Sequence, residues 1–353
     1  MAEEDGAEAR RGRYSRQCQA FCLGKAGNFR QEAVMNKKKK KMIDYGRYGY
    51  FFIAPFFITY LVFQLWPLIN TFYYSTLSYY KRNGREFMEF AGLQNFVNIL
   101  GMAAGERGYV LSYLKNTLVM WGCNFVPQIL VSLLLAVWLT DEKVKVKGTG
   151  AMKVIVYLPS VITAASVSVL FKSLFSQYGP ITQTLKDWGV LGKNFDFMSS
   201  VAGSRGLIST ILWWMWFGNT TIVLMAGIMG IDTSILEAAR IDGANSIQIF
   251  RRITLPIIRT IMAYTLVTSL LGGIQMFDVP QILTNGNGNP DRTSMTVIMY
   301  LNKHLYSKNY GMAGALSVIL FIITAILSVA VFKYVTKDMV NVGEKKVKKA
   351  KGV

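Results

Sequence analysis

The stretch DTSILEAARIDGANSIQIFRRITLP (residues 232–256) decides how this chain is read. Ser234 and Glu237 have the S-x-x-E spacing of a capping box, which opens a helix by satisfying its first free N–H groups. Gly243 suits the left-handed stop that ends many helices. Asn245 or Ser246 is placed to cap a second short helix, and Pro256 to open the next long one. The expectation is helix, Gly bend, helix. Ile235, Leu236, Ala239, Ile247 and Phe250 give this short segment an apolar surface, which points to a protein partner. The plainer reading is that Glu237 only caps a helix and Gly243 only ends it.

Apolar runs extend outward on both sides. Leu207–Ile231 precedes the stretch and Ile257–Leu283 follows it. Further out lie Val154–Phe175, Leu114–Leu139, Tyr48–Tyr74 and Met312–Val335. A transmembrane helix needs about 20 mainly apolar residues. Six runs of this length argue against buried helices of a soluble protein. The first, containing YFFIAPFFITYLVFQLWPLI (residues 50–69), is too long and aromatic for a cleavable signal peptide. The fold class expected is an all-α integral membrane protein with six transmembrane helices. Composition agrees: of 353 residues, 52% are hydrophobic and 17% charged. Soluble domains carry about 25% charge.

The chain holds 39 Lys plus Arg against 20 Asp plus Glu, a formal charge of +19. Such an excess marks either a nucleic-acid surface or the loops on one side of a bilayer. With the N-terminus inside and one crossing per run, 27 of the 39 basic residues fall inside and 12 outside. Both termini are therefore expected in the cytoplasm. The runs Lys37–Lys41 and Lys345–Lys351 are placed to meet anionic lipid. No nucleic-acid module or interleaved aromatic pattern is present, so nucleic acid is not an expected partner.

Residues 1–47 are expected to be a basic cytoplasmic segment, 48–335 the transmembrane domain and 336–353 a basic cytoplasmic tail. Residues 1–34 are polar and without apolar period. Gln31-Glu32-Ala33-Val34 back-translates to a purine-rich tract resembling a bacterial ribosome-binding site before Met35. The expectation is a natural start at Met35, which would leave the formal charge at +18.

The chemistry is limited. Cys18, Cys22 and Cys123 are too few for a disulfide framework, and Cys18 with Cys22 lacks the further ligands of a zinc site. His304 is the only histidine. No catalytic or metal-binding residue is expected, and without clustered carboxylates or a nucleophile motif a membrane enzyme is disfavoured. Ionisable groups in the runs are few, with Asp278 in the outer part of the fifth and Lys172 near the end of the third, so an ion-coupled carrier has little to work with. No phosphate-cradling G-x-x-x-x-G-K-[ST] occurs, and Gly286–Pro290 (GNGNP) is an outer turn, not a dinucleotide fingerprint. If the chain is a transporter, its energy is expected to come from another subunit.

Glu237-Ala238-Ala239, Asp242-Gly243-Ala244, Phe250, Ile253, Leu255 and Pro256 resemble the EAA motif of permease subunits of binding-protein-dependent ABC importers. The spacing E-A-A-x-x-D-G-A-x-x-x-x-x-F-x-x-I-x-L-P is highly specific. Further residues resemble the carbohydrate branch: Ala54-Pro55, Trp66-Pro67, Phe90-Ala91-Gly92-Leu93, Phe277-Asp278, Leu283-Thr284 and Gly311 to Ala315. The Asn-interrupted Gly286–Pro290 turn departs from that branch's pattern. The resemblance covers residues 48–335.

It implies that the two short helices, with Glu237, Asp242 and Gly243 foremost, dock into a cleft of an ATPase. The expected partners are a second permease in a heterodimer, an ATPase dimer that binds ATP and Mg, an extracytoplasmic sugar-binding protein, and lipid. No cofactor is expected in this chain, and the location implied is the bacterial plasma membrane. Similarity to the larger maltose-type permease implies a sugar path at Leu212, Met215, Trp216 and Asn219 on the fourth span. On the fifth it implies Ser269, Gly272, Gly273 and Met276. Trp216 and Asn219 share a helix face, and an aromatic ring beside an amide suits a sugar. The plainer reading is lipid-facing or interhelical packing, with Gly272-Gly273 allowing close approach. Import of glycerol phosphate or another polyol is the alternative.

Overall fold

A computed structural model describes the backbone of residues 46–101, 108–141 and 148–350, and the side chains within these from residue 48 to residue 333. Cys18, Cys22, Met35 and the Lys37–Lys41 run lie outside the described residues, as do the side chains of the 336–353 tail. The chain falls into two compact units, Met1–Trp66 and Pro67–Val353. The boundary lies within helix α1 (Tyr48–Ser75). The site described below belongs wholly to the second unit.

A hairpin follows α1. Strands β1 (Leu77–Arg82) and β2 (Arg85–Phe90) pair antiparallel, from Leu77 opposite Phe90 to Arg82 opposite Arg85. Asn83 and Gly84 turn the chain with φ of 50° and 77°. This Asn-Gly turn twists in the sense that the strands require. The all-α expectation is corrected here: the chain is mostly helical but carries, among the described residues, one hairpin, which Asn83-Gly84 announces. Helix α2 (Gln94–Leu100) then packs back, the Asn95 amide donating to the Ser75 and Leu77 carbonyls at 2.9 and 2.8 Å.

Helix α3 (Val110–Thr140) is the second long apolar helix. The third apolar run is not one helix. Helices α4 (Thr149–Val161) and α5 (Ala164–Leu174) meet at 85°. Pro159 weakens the end of α4, since it has no N–H to carry the ladder on. Ile162 and Thr163 are extended, with ψ of 139° and 137°. Thr163 caps α5, its hydroxyl accepting from the Ser166 N–H at 3.3 Å. The expectation of six single helices becomes five plus a bent pair.

Beyond lie α6 (Pro180–Asp187), α7 (Val201–Met229), α8 (Thr233–Ile241) and α9 (Ser246–Ile249). A π-helical stretch, Phe250–Thr254, leads into α10 (Leu255–Ile257). Next come α11 (Arg259–Ile274), α12 (Asp278–Leu283), α13 (Val297–Tyr306) and α14 (Tyr310–Ala350). Pro256 therefore sits inside α10, and the fifth span opens at Arg259 after a break at Ile258. Helix α14 continues through most of the expected tail.

Helix α7 runs beside α3 for much of its length. Polar side chains stitch the pair. Gln128 donates to the Thr220 hydroxyl at 2.7 Å, Ser132 to the Phe217 carbonyl at 2.7 Å, and Ser209 to the Met120 carbonyl at 3.2 Å. Lipid tails are as apolar as leucine, so such bonds and close packing hold membrane helices together, at about 0.6–2 kcal/mol per bond. Between these rungs Met120, Leu207, Ile208, Ile211 and Met215 form a buried cluster with Val279 and Leu283 of α12.

The connection after α12 is held firmly. Arg205 of α7 donates from Nε and from a terminal nitrogen to the Thr293 carbonyl at 3.0 and 2.8 Å, and to Asn116 Oδ1 at 2.7 Å. Asn116 of α3 in turn donates to the Arg292 carbonyl at 3.2 Å. Lys172 of α5 donates to the Ile282 carbonyl at 2.9 Å and to the Asn285 amide oxygen. The residues flanking the Gly286–Pro290 turn are thus held by three helices, α7 and α5 through the charged donors Arg205 and Lys172, whose hydrogen bonds are the stronger kind, and α3 through the neutral Asn116 amide.

Candidate functional site

Three helices, α3, α7 and α11, surround a cavity of about 340 Å³. That is the scale of a small-molecule site. Helix α7 contributes Leu212, Trp216, Asn219 and Val223, successive positions three or four apart and so on one face, with Thr220 beside them. Helix α11 contributes Tyr264, Thr265, Thr268, Ser269, Gly272 and Gly273, with Met276 just beyond its end. Helix α3 contributes Asn124 and Gln128, one turn apart.

Seven of the eight path positions read from the sequence share this cavity: Leu212, Trp216, Asn219, Ser269, Gly272, Gly273 and Met276. Met215 does not. It is 4% exposed and points into the cluster with Ile208 and Ile211. Met215 lies at the edge of the α7 face that Leu212, Trp216 and Asn219 share, on the side turned to that cluster. The two glycines also differ. A Cβ on Gly273 would sit 2.1 Å from the Trp121 ring, whereas one on Gly272 would meet nothing within 4 Å. Gly273 allows α3 and α11 to approach closely, and the Trp121 indole N–H reaches Ser269 Oγ at 3.2 Å. Gly272 keeps the wall of the cavity open.

Sequence reasoning missed Asn124, Gln128, Thr220, Tyr264, Thr265 and Thr268. Counting ionisable residues overlooked neutral amides. Yet Asn124 and Gln128 are one turn apart in a helix of mean hydropathy 1.8, and polar groups at membrane depth call for a function. Much of the polar lining is internally bonded. Thr265 and Thr268 donate to the Ile261 and Tyr264 carbonyls at 2.8 and 2.9 Å, and Gln128 to Thr220. Asn124 Oδ1 is buried without a partner among the described residues.

The 232–256 stretch folds as helix, bend, helix. Its first cap is Asp232, not the expected Ser234–Glu237 box. The Asp232 carboxylate accepts from the Ser234 N–H at 3.0 Å, and that bond holds its pKa below the ordinary range. Ser234 lies inside the first turn as a result. At the other end the Ala244 N–H bonds the Ala239 carbonyl and the Gly243 N–H that of Arg240, at 3.0 and 3.1 Å. Gly243 has φ of 80°, which completes a Schellman stop. Asn245 caps α9 and Gln248 closes a reciprocal capping box, at 2.8 and 2.9 Å.

Glu237, Ala238, Asp242, Gly243 and Pro256 are exposed, while Ala239, Ala244, Phe250 and Leu255 are half-buried. Ile241 and Ile247 stand 86% and 69% exposed beside the bend. A second hollow of about 330 Å³ lies behind α8, between Glu237, Arg240 and the ends of α3 and α7. Arg240 comes within 3.7 Å of Asp141, just past α3. His304 is half-buried, its ring edge-on to Tyr300 at 4.7 Å, and its Nε2 has no partner. No cluster of three or more His, Cys, Asp or Glu that could hold a metal occurs among the described residues.

Comparison with known proteins places these features. The model of a family described as "Binding-protein-dependent transport system inner membrane component" matches residues 98–340. The lactose transport system permease protein LacF of Rhizobium radiobacter is 28% identical over 282 residues, covering 79% of this chain and 91% of its own. The arabinooligosaccharides transport system permease protein AraP of Bacillus subtilis strain 168 is 27% identical, covering 80% and 87%. Among solved structures, a chain of a bacterial ABC transporter that imports the acidic polysaccharide alginate has the same fold. Its TM-score is 0.66 at 24% identity, over 83% of this chain and 97% of that one. With most of its length matched, the chain belongs to the family of binding-protein-dependent transport system inner membrane components.

Proposed function

We propose, with that membership as premise, that the chain is one permease subunit of an ATP-driven importer of a sugar or oligosaccharide. It pairs with a second, different permease and receives cargo from an extracytoplasmic binding protein. In this reading α4 and α5 together make the third of six crossings, residues 48–335 form the membrane domain, and both termini are cytoplasmic.

The 232–256 stretch is the contact with the ATPase. Its exposed isoleucines offer apolar surface to a cleft, and Glu237 and Asp242 offer charge beside it. Closure of the ATPase dimer moves α8 and α9. Arg240, beside Asp141, and the packing of α7 on α3 pass that movement to the helices around the cavity. Since α3, α7 and α11 carry the lining residues up to Met276 just past α11, a change in their packing alternates access from one side to the other. A carbohydrate has apolar ring faces and many hydroxyls. Trp216 suits the former, and Asn219 and Ser269 the latter.

The observation that supports the reading is that seven of the positions implied by the resemblance line one cavity. The reconstituted importer in vesicles tests it. Trp216→Ala and Asn219→Ala are expected to lower sugar uptake about tenfold, the scale of one or two lost contacts. Glu237→Lys is expected to abolish uptake by uncoupling the ATPase. If the cavity variants import at the normal rate while Glu237→Lys does not, the path is misplaced and the coupling role stands. Purification of the chain in detergent without an ATPase or a second permease would overturn the whole assignment.

A further inference from the structure

We propose that the β1–β2 hairpin is a docking surface for the extracytoplasmic binding protein, with Arg82 and Arg85 at its tip meeting an acidic patch. The proposal rests on the importer reading, which supplies that partner and sets the hairpin outside.

The strand register fixes what the hairpin presents. Leu77 opposite Phe90, Tyr79 opposite Met88 and Lys81 opposite Glu86 share one face. Its β1 side turns to the body of the protein. Leu77 is buried, and the Tyr79 ring lies 5.3 Å from that of Tyr74 and 5.0 Å from that of Tyr310 in α14. The other face carries Arg82 opposite Arg85, Tyr80 opposite Phe87 and Ser78 opposite Glu89. This is the outward face: Arg82, Arg85, Tyr80, Phe87 and Glu89 are all exposed. The Tyr80 and Phe87 rings stack at 5.1 Å behind the two arginines. Arginine beside aromatic rings is the composition that dominates protein interfaces.

Charge gives the character of the partner. Like charges directly opposite each other destabilise a strand pair. Arg82 and Arg85 nonetheless face each other across the Asn83-Gly84 turn. Lys308 adds a third cation beside them, since its carbonyl accepts from the Lys81 N–H at 3.0 Å. Among the described residues none of these three is in an ion pair, whereas Lys81 is paired with Glu86 at 2.9 Å. Carboxylates from outside would relieve the repulsion. Glu89 gives the far end of the same face the opposite sign, about 13 Å from the tip at the usual strand rise. A folded protein can match two signs held at a fixed spacing; a fluid layer of lipid headgroups cannot. The pattern therefore favours the binding protein over the membrane surface.

The hairpin is also held in place before anything docks. The Asn95 amide donates to the Ser75 and Leu77 carbonyls, and the Ala91 N–H to the Thr76 carbonyl at 2.9 Å. Strand β1 is bridged at Tyr80 to Asn309 on its other edge. A surface ordered in advance loses little freedom on binding.

The test uses the complete importer in nanodiscs of phosphatidylcholine, with ATP hydrolysis measured against the concentration of its binding protein. Arg82→Glu with Arg85→Glu is expected to raise the half-maximal concentration about tenfold. The maximal rate and the melting temperature should stay the same, because one like-charged pair replaces another. Arg82→Lys with Arg85→Lys should stay near the unaltered value. Raising salt from about 50 to 500 mM should weaken the unaltered response more than that of the double Glu variant. Glu89→Lys should also raise the half-maximal concentration. On a surface that reads anionic headgroups it would add a useful cation and lower that concentration once phosphatidylglycerol is present. Such a lowering overturns the proposal, as does an effect of the double Glu variant that appears only with phosphatidylglycerol. An unchanged half-maximal concentration in the double Glu variant overturns it too. All three outcomes leave the importer reading intact. Hydrolysis and uptake that respond to no binding protein end both readings.

Discussion

At single residues, neighbours two or three positions apart explain much of this chain. Asp232 caps α8 because its short carboxylate reaches the Ser234 N–H. The S-x-x-E pattern that starts two residues later is a weaker competitor in the same turn. His304 carries a pH prediction. Burial pushes its pKa below the ordinary 6.5, and no carboxylate compensates. Above that value the imidazole is neutral whether the chain is folded or unfolded, so burial adds no pH dependence. As pH falls through 6.5 the unfolded chain takes the proton first, and the fold loses stability. Melting curves of purified protein between about pH 7.5 and 5 should show this loss. His304→Gln should flatten it; an unchanged slope would place the titrating group elsewhere.

At the level of elements, the helix-bend-helix stretch was legible because its signals are local. Gly243 stands at φ of 80°, and a Cβ there would meet nothing within 4 Å. A substitution therefore costs backbone strain alone, about 1–2 kcal/mol for a residue other than Gly or Asn. Gly243→Ala should speed amide exchange at Ala244, whose N–H bonds Ala239, by roughly fivefold to thirtyfold. Gly243→Asn should change it little, since Asn tolerates the left-handed region. Equal exchange in all three proteins would mean that the stop is not needed. The hairpin was equally legible, in Asn83-Gly84, but apolar runs dominated the reading. The bend between α4 and α5 was partly so. Pro159 and the Thr163 cap are visible in the sequence, but neither fixes an 85° angle.

For the molecule as a whole, topology rests on charge. If basic residues mark the cytoplasmic side, the Gly286–Pro290 turn is outside and the α8–α9 bend inside. With Cys18, Cys22 and Cys123 replaced by alanine, Asn287→Cys should react with an impermeant maleimide in intact cells. Ser246→Cys should react only after the membrane is opened. The opposite pattern would invert the topology. What the sequence determined by itself was the set of apolar runs, the bend between two of them with its Gly243 stop and Asn245 cap, and the charge imbalance. Each depends on residues within a turn or two of one another, or on summed composition. Which residues share the cavity was decided by tertiary structure. Trp121 meets Ser269 across 148 residues. Met215 turns away from the cavity while Trp216 beside it faces in, and Asn124 joins from a helix that no motif marked. Such relations depend on how each helix is rotated against its neighbours. Close packing between helices sets that rotation, and the spacing within any one of them does not encode it.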